Sequence, residues 1–117
     1  MDKPILKSAG NIDDNILGEI VKRIVDIINP LKILIFGSYA YGTPAKHSDI
    51  DILVVSEDNV KSRYETTVKI YGALRGVRIP KDIVVATPKQ IKEWENVPQA
   101  FITKIIKMGK VIYERKN

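Results

Sequence analysis

Three short pieces of this chain carry residue types that do chemistry: Gly37-Ser38, Asp49-Ile50-Asp51 and Lys81-Asp82. Asp49 and Asp51 are two apart at the start of an apolar run, so on a strand both carboxylates point to one face. Two unpaired carboxylates beside a core repel each other and resist desolvation, and a cation between them offsets both costs. Oxygen donors alone suit a hard ion, Mg²⁺ or Mn²⁺, which keeps some waters and takes substrate phosphates as further ligands. Asp82 opens another apolar run as Asp49 opens its own. If those strands pair, three carboxylates meet at one end of a sheet. A third acid there can join a second ion and take the proton of an attacking hydroxyl, the two-metal arrangement for in-line phosphoryl or nucleotidyl displacement. Gly37-Ser38 ends an earlier apolar run. Glycine there lets backbone approach a phosphate, and a helix starting at Ser38 aims its N–H groups at an anion. Taken singly, each piece has a plainer use: a strand edge or cap, an ordinary strand-to-helix turn, a solvated acid.

The elements that must position these residues follow from periodicity. From Asn11 the pattern is helical, with Ile12, Ile16, Ile20, Ile24, Ile27 and Ile28 on one face, Asn11 or Asp13 as cap and Asn29-Pro30 as stop. Lys32–Phe36 reads as a short buried strand. Gly42, Thr43 and Pro44 turn the chain into a second strand over 49–55. A helix is expected over 59–75 with Val60, Tyr64, Val68, Tyr71 and Leu74 inward, ended by Gly76. A third strand covers 82–86. Thr87-Pro88 is a helix-start signal, a second short helix spans 98–108 up to Gly109, and Lys110–Glu114 is a last strand. The pattern predicts an α/β or α+β fold with a small mixed sheet flanked by helices, in one domain over 1–117 with 1–10 as a loose leader.

Composition narrows the classes. The chain has 117 residues, 44% hydrophobic and 28% charged, which is the profile of a globular domain with a single core. No cysteine is present, which excludes disulfides, thiolate nucleophiles and zinc–thiolate sites. No apolar run reaches the roughly 20 residues that span a bilayer, and the N-terminus lacks a signal-peptide pattern, so no membrane is expected and the cytoplasm is the expected address. The net charge of +5 favours an anionic partner, although the basic residues are dispersed along the chain.

Gly37-Ser38, then Ser48-Asp49-Ile50-Asp51 after residues 39–47, and a later Asp82 on a strand together resemble the minimal nucleotidyltransferases of the DNA polymerase β superfamily. The similarity runs over nearly the whole chain, and the combination is more specific than any piece. It implies a polymerase-β-like fold in which Asp49 and Asp51 bind two Mg²⁺ ions (or Mn²⁺) and Asp82 completes the second site and assists the acceptor hydroxyl. Gly37, Ser38 and Ser48 would hold the nucleotide, most simply ATP. Tyr41 stands where many relatives carry arginine; Lys46 or Arg78 could supply that charge. Proteins of this size resemble the antitoxin of toxin–antitoxin pairs whose partner is a HEPN-domain RNase. The implied reaction is AMP transfer from ATP to a tyrosine hydroxyl of that toxin. Two alternatives stay open: an antitoxin that neutralises by binding alone, and a nucleotidyltransferase acting on RNA or a small molecule.

Other residues read more plainly. His47, the single histidine, fits an exposed loop. Trp94 and Ile91 are expected to pack on the sheet, with Ile102, Ile105, Ile106 and Met108 as core and Lys104 and Lys107 outside. Tyr39 and Tyr41 straddle the proposed phosphate turn and could support it or bracket a nucleotide.

Overall fold

The computed structural model describes residues 14–41, 49–58 and 62–116. The expected leader, the caps Asn11 and Asp13, the Gly42–Pro44 turn, and Lys46, His47, Ser48 and Val60 lie outside these residues. The elements run α1 (Asp14–Ile28), β1 (Lys32–Phe36), α2 (Ser38–Tyr41), β2 (Ile50–Val55), α3 (Arg63–Ala73), β3 (Lys81–Ala86), α4 (Pro88–Trp94), α5 (Phe101–Met108) and β4 (Lys110–Glu114).

The four strands form one mixed sheet in the order β3-β2-β1-β4. β1 is antiparallel to both β2 and β4, whereas β2 and β3 are parallel, as the α3 crossover between them requires. Alternation along the strands splits the core into two layers. Ile33, Ile35, Ile52, Val54, Ile83 and Val85 face α1 and α3, and Leu34, Phe36, Leu53, Val55 and Ala86 face α4 and α5.

Helix boundaries follow local chemistry. Asn29 ends α1 in the left-handed region, φ 46°, with its N–H on Val25 O. Ser62 caps α3 by accepting from Glu65 N–H. Thr87 and Gln90 form a reciprocal capping box at α4, with Pro88 in the first turn.

The predicted helix faces needed correction. α1 buries Leu17, Ile20, Val21 and Ile24. At ~100° per residue, Ile16 and Ile27 fall at the margin of that stripe, and Ile27 is exposed. α3 is rotated by roughly a third of a turn: Leu74 is buried as expected, with Thr66 and Ile70, whereas Tyr64, Val68 and Tyr71 are exposed. Both stripes have helical spacing, and the buried one carries a threonine whose hydroxyl is satisfied by donating to Ser62 O at 3.0 Å. On α5, Ile105 is buried but Ile106 and Met108 are exposed, because one short helix lays one face on the sheet.

Gly109, expected as the stop of α5, is there for close approach: a Cβ would sit 2.7 Å from Ile105 O and 3.0 Å from Ile35 O. Gly109→Ala is expected to push α5 off β1 and lower stability by about 1–3 kcal/mol, read as a drop in the urea midpoint at unchanged slope.

Candidate active site

Register brings the candidate residues to one edge of the sheet. Phe36 pairs with Asp51, and Asp51 pairs with Asp82. The three therefore form a row across β1, β2 and β3, with neighbouring backbones about 4.8 Å apart. Cross-strand partners share a face, so both carboxylates lie on the α4/α5 side. The next row inward is Leu34, Leu53 and Val84. Asp49, expected as the first residue of the second strand, is exposed and immediately precedes β2 instead.

Gly37 lies at the end of the same row. Its φ is +76°, a region that favours glycine, and a Cβ built there would overlap the Asp51 carboxylate. Backbone and acid are thus in close contact at the point where β1 ends and α2 begins. Ser38 opens α2 and Tyr41 closes it.

The electrostatics are those of crowded acids. Burial, then the charge of Asp82, then that of Asp49, raises the Asp51 pKa above the ordinary carboxylate value. Among the described residues, no lysine or arginine pairs with Asp49, Asp51 or Asp82; the ion pairs there are Arg23–Glu19, Lys32–Glu114 and Arg115–Glu57. The Lys81 ammonium, next in sequence to Asp82, donates to Val77 O at 3.1 Å.

This donor set suits a hard divalent cation: oxygen only, like-charged and lacking a protein counter-charge among the described residues. The three acids form an open cluster. Among the described residues, no group of three His, Cys, Asp or Glu side chains is gathered tightly enough to hold an ion. Asp51 and Asp82 are brought together by register, and Asp49 stands at the rim.

Two features were not read from the sequence. The Tyr71 hydroxyl accepts from Ile83 N–H at 3.0 Å and lies 3.5 Å from Asp82 Oδ1. A groove of about 420 Å³, lined by Arg63, Val84, Trp94, Ala100, Phe101 and Ile102, opens on the same face as the acids. Val84 is two residues beyond Asp82, and the Phe101 ring meets Phe36 edge-on at 5.7 Å. Trp94, expected to pack on the sheet, is 48% exposed on this groove instead. Spacing in the sequence does not distinguish an aromatic lining a groove from one filling a core.

The Polymerase beta, Nucleotidyltransferase family matches residues 18–117. The chain belongs to that family. In this nucleotidyltransferase the match begins within α1 and takes in all four strands and every candidate residue. Among curated relatives, a provisionally named protein adenylyltransferase of Methanocaldococcus jannaschii is 36% identical over 59 residues, 50% of this chain and 39% of that protein. Caffeine-induced protein 16 of Schizosaccharomyces pombe is 33% identical over 73 residues, 56% of this chain and 6% of that protein. The chain therefore spans well under half the length of these two relatives.

Solved structures give the same fold. A provisionally named nucleotidyltransferase from Sulfolobus solfataricus superposes with a TM-score of 0.61 at 22% identity, covering 86% of this chain and 79% of that one. A toxin–antitoxin crystallised with AMP-PNP matches with a TM-score of 0.52 at 28% identity, covering 84% and 73%. Among the described residues of this nucleotidyltransferase, no helix is long and apolar enough to cross a membrane.

Proposed function

We propose that this nucleotidyltransferase transfers AMP from ATP to a hydroxyl of a partner protein, a tyrosine of a HEPN-type toxin, and so acts as its antitoxin. The observation that carries the reading is the row Gly37/Phe36, Asp51, Asp82 across three adjacent strands. In-line displacement needs leaving group, phosphorus and nucleophile in one line. Gly37 and Ser38 hold the triphosphate on the β1 side, and Ser48 is expected to assist them. Asp49 and Asp51 flank the α-phosphate, and Asp82 receives the acceptor on the β3 side. The acceptor oxygen bonds to the α-phosphorus, the bond to the bridging oxygen of pyrophosphate breaks, and the hydroxyl proton passes to the Asp82 carboxylate.

Asp49, Asp51 and Asp82 would hold two Mg²⁺ ions, or Mn²⁺, which when bound neutralise charge on the phosphates and acidify the acceptor hydroxyl. The M. jannaschii relative's name and the neighbouring toxin–antitoxin with its ATP analogue support the protein acceptor and the nucleotide. The open groove beyond Asp82, with Trp94 and Phe101 exposed, supports an acceptor presented by a separate molecule.

The test is twofold. ATP binding measured by titration calorimetry should require Mg²⁺ and should weaken at least about tenfold in Asp49→Asn/Asp51→Asn. Equal affinity in both proteins would sink the metal-site reading. Labelled ATP, Mg²⁺ and the product of the neighbouring gene should yield label on that protein with the wild type only. Toxin inhibition that survives Asp49→Asn without label would support binding alone.

A further inference from the structure

α3 turns outward the stripe that sequence periodicity assigns to the core, and Tyr71 lies on that stripe, 41% exposed. Its hydroxyl is nevertheless committed. β3 is an edge strand, so alternate N–H groups of β3 point away from β2 and have no ladder partner. Ile83 N–H is one of these, and it donates to the Tyr71 hydroxyl at 3.0 Å. Having accepted there, the hydroxyl keeps one proton to give. The acceptor in reach is Asp82 Oδ1, at 3.5 Å, a long contact that holds the carboxylate on one side.

The surroundings make this bond matter. Asp82 is exposed, lies second in an edge strand and has no lysine or arginine partner among the described residues. Its free rotation about χ1 and χ2 would otherwise spread the carboxylate over solvent. Asp51, directly across the ladder, lies against the backbone at Gly37, where a Cβ would overlap its carboxylate. Tyr71 supplies for Asp82 what Gly37 supplies for Asp51, a fixed wall on one side.

We infer that Tyr71 is a positioning residue for the third acid: its hydroxyl, anchored on Ile83 N–H, holds Asp82 Oδ1 at the outer edge of β3 and leaves the second carboxylate oxygen for the site shared with Asp51. The inference rests on the proposed role of Asp82. A hydrogen bond that fixes a ligating carboxylate is worth about 10–100-fold in metal affinity.

The test is Mn²⁺ binding, followed by electron paramagnetic resonance in the presence of ATP, for wild type, Tyr71→Phe, Asp82→Asn and the double variant. Phenylalanine keeps the ring and removes both hydrogen bonds. Tyr71→Phe should weaken Mn²⁺ binding about tenfold, while in the Asp82→Asn background the same change should have no further effect. In transfer assays the loss should fall on kcat, with KM for ATP within twofold. If Tyr71→Phe weakens Mn²⁺ equally with and without Asp82, its role is to cap the edge strand and the inference is overturned. It is also overturned if Tyr71→Phe binds like wild type while Asp82→Asn does not. If Asp82→Asn itself binds Mn²⁺ like wild type, the proposed role of Asp82 falls, and this inference with it.

Discussion

Asp51→Asn is expected to give a protein that is more stable at neutral pH and inactive. The Asp51 pKa is raised by burial first, then by Asp82 and Asp49. A carboxyl that holds its proton more tightly when folded contributes stability that is full below its unfolded pKa and is lost as pH rises through the folded one. At pH 7 the ionised carboxylate therefore works against the fold, and an amide of the same shape removes that opposition. Thermal melts from pH 7 down to the ordinary carboxylate range should show the wild type gaining on the variant. Mg²⁺ should reverse the order. At ten times its dissociation constant it adds about 1.4 kcal/mol to a chain that binds it and nothing to one that does not. Nucleotidyl transfer should fall below about 1% of wild type, since charge stabilisation at the reacting phosphate commonly supplies most of the rate enhancement. A variant that is less stable at pH 7 without Mg²⁺ would mean that Asp51 is held by a favourable partner.

Gly37→Ala is the second large effect, and it should damage both fold and chemistry. The φ of +76° costs an alanine about 1–2 kcal/mol, and its Cβ meets the Asp51 carboxylate. Together the two effects should exceed about 2 kcal/mol, a fall of roughly 10 °C in melting temperature for a chain of this size. The parts separate in a cycle with Asp51→Ala: removing the carboxylate should relieve the overlap and leave the backbone cost. Full additivity of the two changes would mean that Gly37 and Asp51 do not touch. ATP affinity should drop in step, because the wall beside the acid has moved.

Much of this architecture was readable from short apolar runs. KILIF and the 82–86 run are continuous and flanked by turn residues, and they emerge as strands within a residue of the expected bounds. The Asp51–Asp82 juxtaposition was conditional on those strands pairing, and the parallel register supplies that condition. Faces were harder. α3 carries two apolar stripes, one through Tyr64, Val68 and Tyr71 and one through Thr66, Ile70 and Leu74. Docking on α1 and β3 decides between them, and intrinsic pattern does not. The Tyr71 hydroxyl was invisible for the same reason, since its partners are two residues of another element. Residues 42–48 include Ser48, so its expected role lies outside the described residues.

The parallel pairing of β2 with β3 also bears on when the proposed ion site would form. Asp49 and Asp51 are neighbours in sequence, but Asp82 joins them only when the whole α3 crossover closes, a non-local contact that is slow to form. Divalent-ion affinity should therefore appear late in refolding, after the β1–β2 antiparallel pair. An ion present from the start should slow unfolding more than it speeds folding. If the proposed site is occupied, ion binding would time the closure of β3 onto β2.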